Sequence, residues 1–96
     1  MNYKIVILEE AKIDYKKSLL WYRNTHPKLA IRFNDCFKKS LAIIKTDPFL
    51  FQIKYDSIRI IFFKTFPYAI HYSIYENCIV IKSIFHTSRD SELNLF

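Results

Sequence analysis

The 96-residue chain contains no glycine. Glycine reaches positive φ, and lets a backbone approach a phosphate or another backbone, at no steric cost. Every tight turn must therefore be made by Asn, Asp or a less suited residue. The same absence removes the GxGxxG dinucleotide fingerprint, the P-loop, the EF-hand loop, the GxSxG nucleophile elbow and the GxxxG membrane dimer motif. Hydrophobic residues make up 51% of the chain and aromatic residues 18%, which is the composition of a folded protein. The length is that of one domain, residues 1–96.

Residues 3–8, Tyr-Lys-Ile-Val-Ile-Leu, read as a first strand. From Glu9 the period changes: Leu8, Ala11, Tyr15, Ser18, Leu19 and Tyr22 recur at helical spacing, with Glu9 and Glu10 in the first turn, where they complement the helix dipole. Asn24 is the expected left-handed cap. Pro27 holds His26 extended, and a second helix follows with the apolar stripe Ala30, Phe33, Phe37, Leu41 and Ile44, ended by Asp47-Pro48. So short a link makes the two helices an antiparallel hairpin.

After Pro48 the chain reads as strands at residues 49–54, 58–63, 68–75 and 78–86. Glu76-Asn77 is a two-residue hairpin turn, with Asn77 expected to supply the positive φ. That turn sets a register with Ile74 opposite Ile79, Tyr72 opposite Ile81, Ile70 opposite Ser83 and Tyr68 opposite Phe85 on a core face. The other face then carries Ser73 beside Val80, His71 beside Lys82 and Ala69 beside Ile84, with His86 at its end. The expectation is a two-layer α+β domain, β-α-α-β-β-β(β), with the helical hairpin packed on one face of a mainly antiparallel twisted sheet. The stretch Ile58 to Phe63 is apolar on both sides, which makes the uncovered face a partner surface, a homodimer contact or a further local core.

A net charge of +6 and a pI near 9.4 attract the chain to polyanions, whether nucleic acid, an anionic membrane or an acidic protein. No apolar run approaches ~18 residues, so no membrane span is expected. The N-terminus lacks the pattern of a signal peptide, and a cytoplasmic location follows. Two cysteines, Cys36 and Cys78, and three scattered histidines supply neither a disulfide framework nor zinc-ligand spacing. No metal or cofactor is expected.

Among the polar residues, Arg59 interrupts an apolar strand, where a charge must be paired or functional. It reads either as an ion pair with Asp14, Asp56 or Glu92, or as a cation for an anionic target. Trp21 lies ~100° around the first helix from the core residue Tyr22 and so suits an interface. Metal-free RNA cleavage would need a base, an acid and cations, and His86, Arg89, Arg59 and Lys82 are the residues that could supply them.

The order of elements, with Trp21-Tyr22, Arg32-Phe33, Asp47-Pro48, Arg59, Phe66-Pro67-Tyr68, Tyr72 and His86-Thr-Ser-Arg89, resembles the RelE/ParE toxin family. Its members are small basic toxins of bacterial type II toxin–antitoxin modules, sometimes labelled plasmid-stabilisation proteins. The pattern is closer to the ParE branch, whose better-known members poison DNA gyrase, than to the RelE branch, which cuts mRNA on the ribosome. RelE-type nucleases carry a tyrosine shortly after the C-terminal arginine, whereas Arg89 is followed by Asp90, Ser91 and Glu92. Asp90-Ser91 also replace the proline common in ParE-like tails. The resemblance implies a gyrase-directed toxin held inactive by an acidic antitoxin. A ribosome-dependent endoribonuclease is the alternative, and a degenerate, non-toxic member a third reading. Arg59, His86 and Arg89 are then the target-binding candidates, and Trp21, His71 and Lys82 the antitoxin-binding ones.

Overall fold

The computed structural model describes residues 3–87. Its elements are β1 (Lys4–Ile7), α1 (Glu9–Thr25), α2 (Pro27–Thr46), β2 (Ile53–Tyr55), β3 (Ile58–Phe62), β4 (Tyr68–Tyr75) and β5 (Cys78–His86). The strands form one sheet in the order β1-β5-β4-β3-β2. Only β1 and β5 run parallel, and the other pairs are antiparallel. Two helices on a mixed sheet make this the expected α+β architecture. No helix among the described residues is long and apolar enough to cross a membrane.

A single residue, His26, separates the helices. Proline bars helical geometry at the residue before it, so His26 adopts φ −144° and ψ 87°. Pro27 then opens α2 at a position whose N–H would be unpaired anyway. The first helix therefore runs past Asn24 to Thr25, and no left-handed cap is used. The His26 N–H closes it by donating to the Tyr22 carbonyl, and Thr25 Oγ1 donates to the Trp21 carbonyl at 2.7 Å.

The hairpin buries Ala11 and Tyr22 of α1 and Ala30, Phe33, Phe37 and Ile44 of α2 against Ile61, Phe63, Tyr68, Ile70, Tyr72, Ile79, Ile81 and Ile84. Phe33 is wholly buried, with Tyr22, Phe63, Phe66 and Tyr68 rings 5.0–5.5 Å from its own.

Three local expectations are corrected. The strand read at residues 49–54 is reduced to Ile53–Tyr55. Long-range bonds hold the preceding segment as a loop: Tyr72 Oη donates to the Pro48 carbonyl at 2.9 Å, and the Arg59 guanidinium donates to the Phe51 carbonyl. At the β4–β5 turn, Glu76 and not Asn77 carries the positive φ, at 55°. The Asn77 carbonyl is instead engaged by the Lys4 N–H at 2.9 Å, where β1 joins the sheet. The turn between β2 and β3 follows the same rule, with Asp56 at φ 48°.

The third correction matters most for function. Pairing of β4 with β5 follows the expected register from Tyr75 to Tyr72, then shifts by one. Tyr72 pairs with Ile81 and His71 with Ser83, leaving Lys82 as the extra residue of a β-bulge. Beyond the bulge Ile70 faces Ile84, not Ser83, and Tyr68 faces His86, not Phe85. Strand alternation has period two, so one inserted residue exchanges the faces of everything after it. His86 therefore turns to the helix side, while Phe85 joins Tyr55, Ile58, Ile60 and Ala69 in a second small core on the opposite face.

Candidate functional site

At the end of β5 the shoulder of α1 and the sheet enclose a cleft of about 540 Å³, lined by Lys17, Ser18, Trp21 and His86. One turn of helix separates Lys17 from Trp21, so both project to the same side. The Trp21 indole is 58% exposed and stands edge-on to Tyr22 at 5.0 Å. His86 packs edge-on against the buried Tyr68 ring at 4.9 Å. Asp14 draws the start of α1 toward this end of β5 by accepting the Ile84 N–H at 3.3 Å. The Thr87 N–H donates to the Pro67 carbonyl at 2.7 Å and so fixes where the chain leaves the sheet. A cation, an open aromatic face and an imidazole in one concavity suit an anionic group attached to a flat or apolar one. The bulge is what brings His86 here. The only sequence signal for Lys17 is its one-turn spacing to Trp21.

Arg59 pairs with Tyr72 across β3 and β4, so it lies on the helix side of the sheet. Its guanidinium bonds the Phe51 carbonyl and stands over the Phe49 ring, 5.1 Å from the centroid. Burial pushes the Tyr72 phenol up to about 12, with Arg59 opposing and Asp47 reinforcing the shift. Arg59 is half-buried and acts as a strut for residues 47–51.

His71, Lys82 and His86 do not share a face as expected. Lys82 is the exposed bulge residue. His71 lies on the sheet face away from the helices, only 7% exposed. Its Nδ1 is 3.1 Å from Tyr55 Oη, and its ring packs against Phe85 at 4.2 Å. Its Nε2 is buried with no hydrogen-bond partner among the described residues. Arg89 lies outside the described residues. Cys36 and Cys78 are free thiols, and no group of three or more His, Cys, Asp or Glu among the described residues could hold a metal ion.

Burial holds the His71 imidazole below its ordinary range. The unfolded chain takes up a proton there from about pH 6.5 downward, while the folded chain resists it. His71 thus contributes its stability in full above that pH and loses it as pH falls through the lower folded value. Between about pH 7.5 and 5 the urea midpoint of the wild type is expected to fall more steeply than that of His71→Leu. Parallel declines would show that His71 titrates freely.

No protein-family model matches the chain, and no curated protein matches it. Among solved structures, it is similar to a chain of the chromosomal ParDE TA system from P. aeruginosa. The TM-score is 0.76 at 11% identity, over 88% of this chain and 95% of that one. At that identity the likeness is one of fold, extending over nearly the whole of both chains: the chain folds like a component of a ParDE system.

Proposed function

We propose that this chain is the toxin of a bacterial type II toxin–antitoxin module. It is held inactive by an acidic cognate antitoxin and acts in the cytoplasm by binding DNA gyrase and stopping replication. The observation that carries this reading is the likeness of fold to a chain of a ParDE system along 95% of that chain's length. The net charge of +6 supports an acidic partner. A mode of action by binding is supported by the dispersal of the polar candidates. His71 is sealed under Tyr55 and Phe85, Arg59 is engaged by Phe51 and Phe49, and Lys82 stands at the bulge, apart from the cleft lined by His86.

One observation favours the ribonuclease alternative: His86 shares its cleft with Lys17 and the exposed Trp21, a set able to meet phosphate and base. Pulse labelling after induction in a bacterial host separates the readings. Incorporation of thymidine is expected to stop before that of methionine, and co-expression of an adjacent acidic gene product is expected to restore growth. Methionine incorporation stopping first supports the ribonuclease, and unimpaired growth at high expression supports a degenerate member.

A further inference from the structure

The net charge of +6 is concentrated in one layer of the fold. Residues 9–46, the two helices with their one-residue link, hold nine Lys or Arg against four Asp or Glu, and so five of the six charges. All nine cations are exposed. On the outer face of this hairpin, where a helix packed on a sheet is ordinarily most polar, stand three large aliphatic side chains. Ile13, Leu20 and Ile31 are 45%, 54% and 66% exposed. Each is two residues from a buried one (Ala11, Ser18 and Phe33), about 200° around its helix, and so points away from the sheet. Leu20 precedes His26 by six residues and Ile31 follows it by five, so the hairpin sets the two at one level. Lys16 lies within a turn of both Ile13 and Leu20, and Arg23 within a turn of Leu20. Lys28 and Lys38 flank Ile31 along its own side of α2, three residues before it and seven after.

We propose that the outer face of the helical hairpin docks on an anionic membrane surface, with both helices in the plane of the bilayer and the sheet turned away from it. Ile13, Leu20 and Ile31 enter the headgroup region, and the cations around them meet lipid phosphates. The lysine stems cover apolar surface there while their ammonium groups stay in water. Shape and makeup both favour this partner. Helices of 17 and 20 residues side by side form a platform about 25–30 Å long. The Trp21 cleft, a cleft between α2 and β3 and one beside Pro67 are all lined by other residues, so the face suits a plane better than a peptide or a loop. A nucleic acid would satisfy the cations and leave three aliphatic side chains against phosphates. The exposed Trp21, which could stack on a base, opens into its cleft on the flank instead. A second copy of the chain would set the cations of one hairpin against those of another. This surface is independent of the function proposed above.

Sedimentation of the full chain with sucrose-loaded vesicles is the test. The chain is expected to bind vesicles of equal phosphatidylglycerol and phosphatidylcholine at low salt, and not vesicles of phosphatidylcholine alone. Raising sodium chloride to about 0.5 M is expected to weaken binding at least tenfold. Two double variants then lower the net charge equally. Lys16→Glu/Lys38→Glu, on the outer face, is expected to lose at least tenfold, since one cation at such a surface is worth about fivefold in affinity. Lys4→Glu/Lys54→Glu, on the edge strands β1 and β2, is expected to bind nearly as wild type. All four lysines are exposed, so neither melting temperature should move. Ile13→Gln/Leu20→Gln/Ile31→Gln keeps every charge and the helix propensity, and is also expected to weaken binding at least tenfold. Equal losses in the two charge variants would reduce the effect to net charge, and undiminished binding by the glutamine variant would reduce it to adsorption of cations; either overturns the proposal. So would failure to sediment with the phosphatidylglycerol vesicles, or release from them by equimolar polyglutamate or a uridine oligomer of about 20 nucleotides. Light scattering that shows a dimer dissolved by the glutamine substitutions would overturn it too. None of these readouts involves growth, so the surface and the toxin reading stand or fall separately.

Discussion

Phe33→Ala is expected to cost about 3–5 kcal/mol, the largest loss from any single truncation in the core. The side chain is fully buried, and rings from both layers converge on it: Tyr15 and Tyr22 from α1, Phe63, Phe66 and Tyr68 from the sheet and its connection. Aromatic pairs of this kind contribute about 0.5–1.5 kcal/mol beyond the area they bury. Removing the ring leaves a cavity its stiff neighbours cannot refill. Small domains hold only about 5–15 kcal/mol in total, so the variant should be partly unfolded at 37 °C. Ile31, two residues earlier on α2, is 66% exposed, and Ile31→Ala is expected to stay within about 0.5 kcal/mol. Urea unfolding of both variants checks the contrast, through the midpoint at constant m-value. Equal midpoints would mean that the helical hairpin does not pack on the sheet through Phe33.

The aromatic hub was legible because it follows from period alone. The stripe Ala30, Phe33, Phe37 and Ile44 is helical, and Pro27 leaves no room for anything but a sharp reversal before it. The start of the β4–β5 ladder was legible too, since a two-residue turn leaves little freedom in register. What escaped was one inserted residue. The one signal was Ser83: regular alternation turns it to the helix side opposite Ile70 and sends Ile84 away, whereas a bulge at Lys82 returns Ile84 to the core. The consequence reached the candidate site directly: His86 moved to the Trp21 cleft, and His71 lost its expected companions. The loop at residues 47–51 was hidden for a different reason. Phe49-Leu50-Phe51 has the propensity of a strand, and it is overruled by bonds from Tyr72 and Arg59, both distant in sequence. The positive φ at Glu76 reflects the same kind of override, since β1 takes up the Asn77 carbonyl.

Growth arrest is expected to disappear in Arg89→Ala while the fold survives. The Pro67 carbonyl pins the Thr87 N–H, and His86 lines the Trp21 cleft immediately before it. Arg89 itself follows Thr87 by two positions and lies outside the described residues. Ion pairs with sequence neighbours such as Asp90 or Glu92 would contribute only about 0–1 kcal/mol at a surface, which gives stability little need of an arginine. A permanently charged, planar fork is well suited to a carboxylate or phosphate on a target. The melting temperature of Arg89→Ala is therefore expected within about 4 °C of wild type. Arg89→Lys should recover part of the arrest, since it restores the charge without the bidentate geometry. Arg89→Ala should still bind the antitoxin and be harmless, which is measured by colony counts after induction, with and without the antitoxin, alongside co-purification of the two proteins. A folded Arg89→Ala protein that arrests growth at wild-type potency would remove Arg89 from the target surface and leave Lys17 and Trp21 as the groups to test.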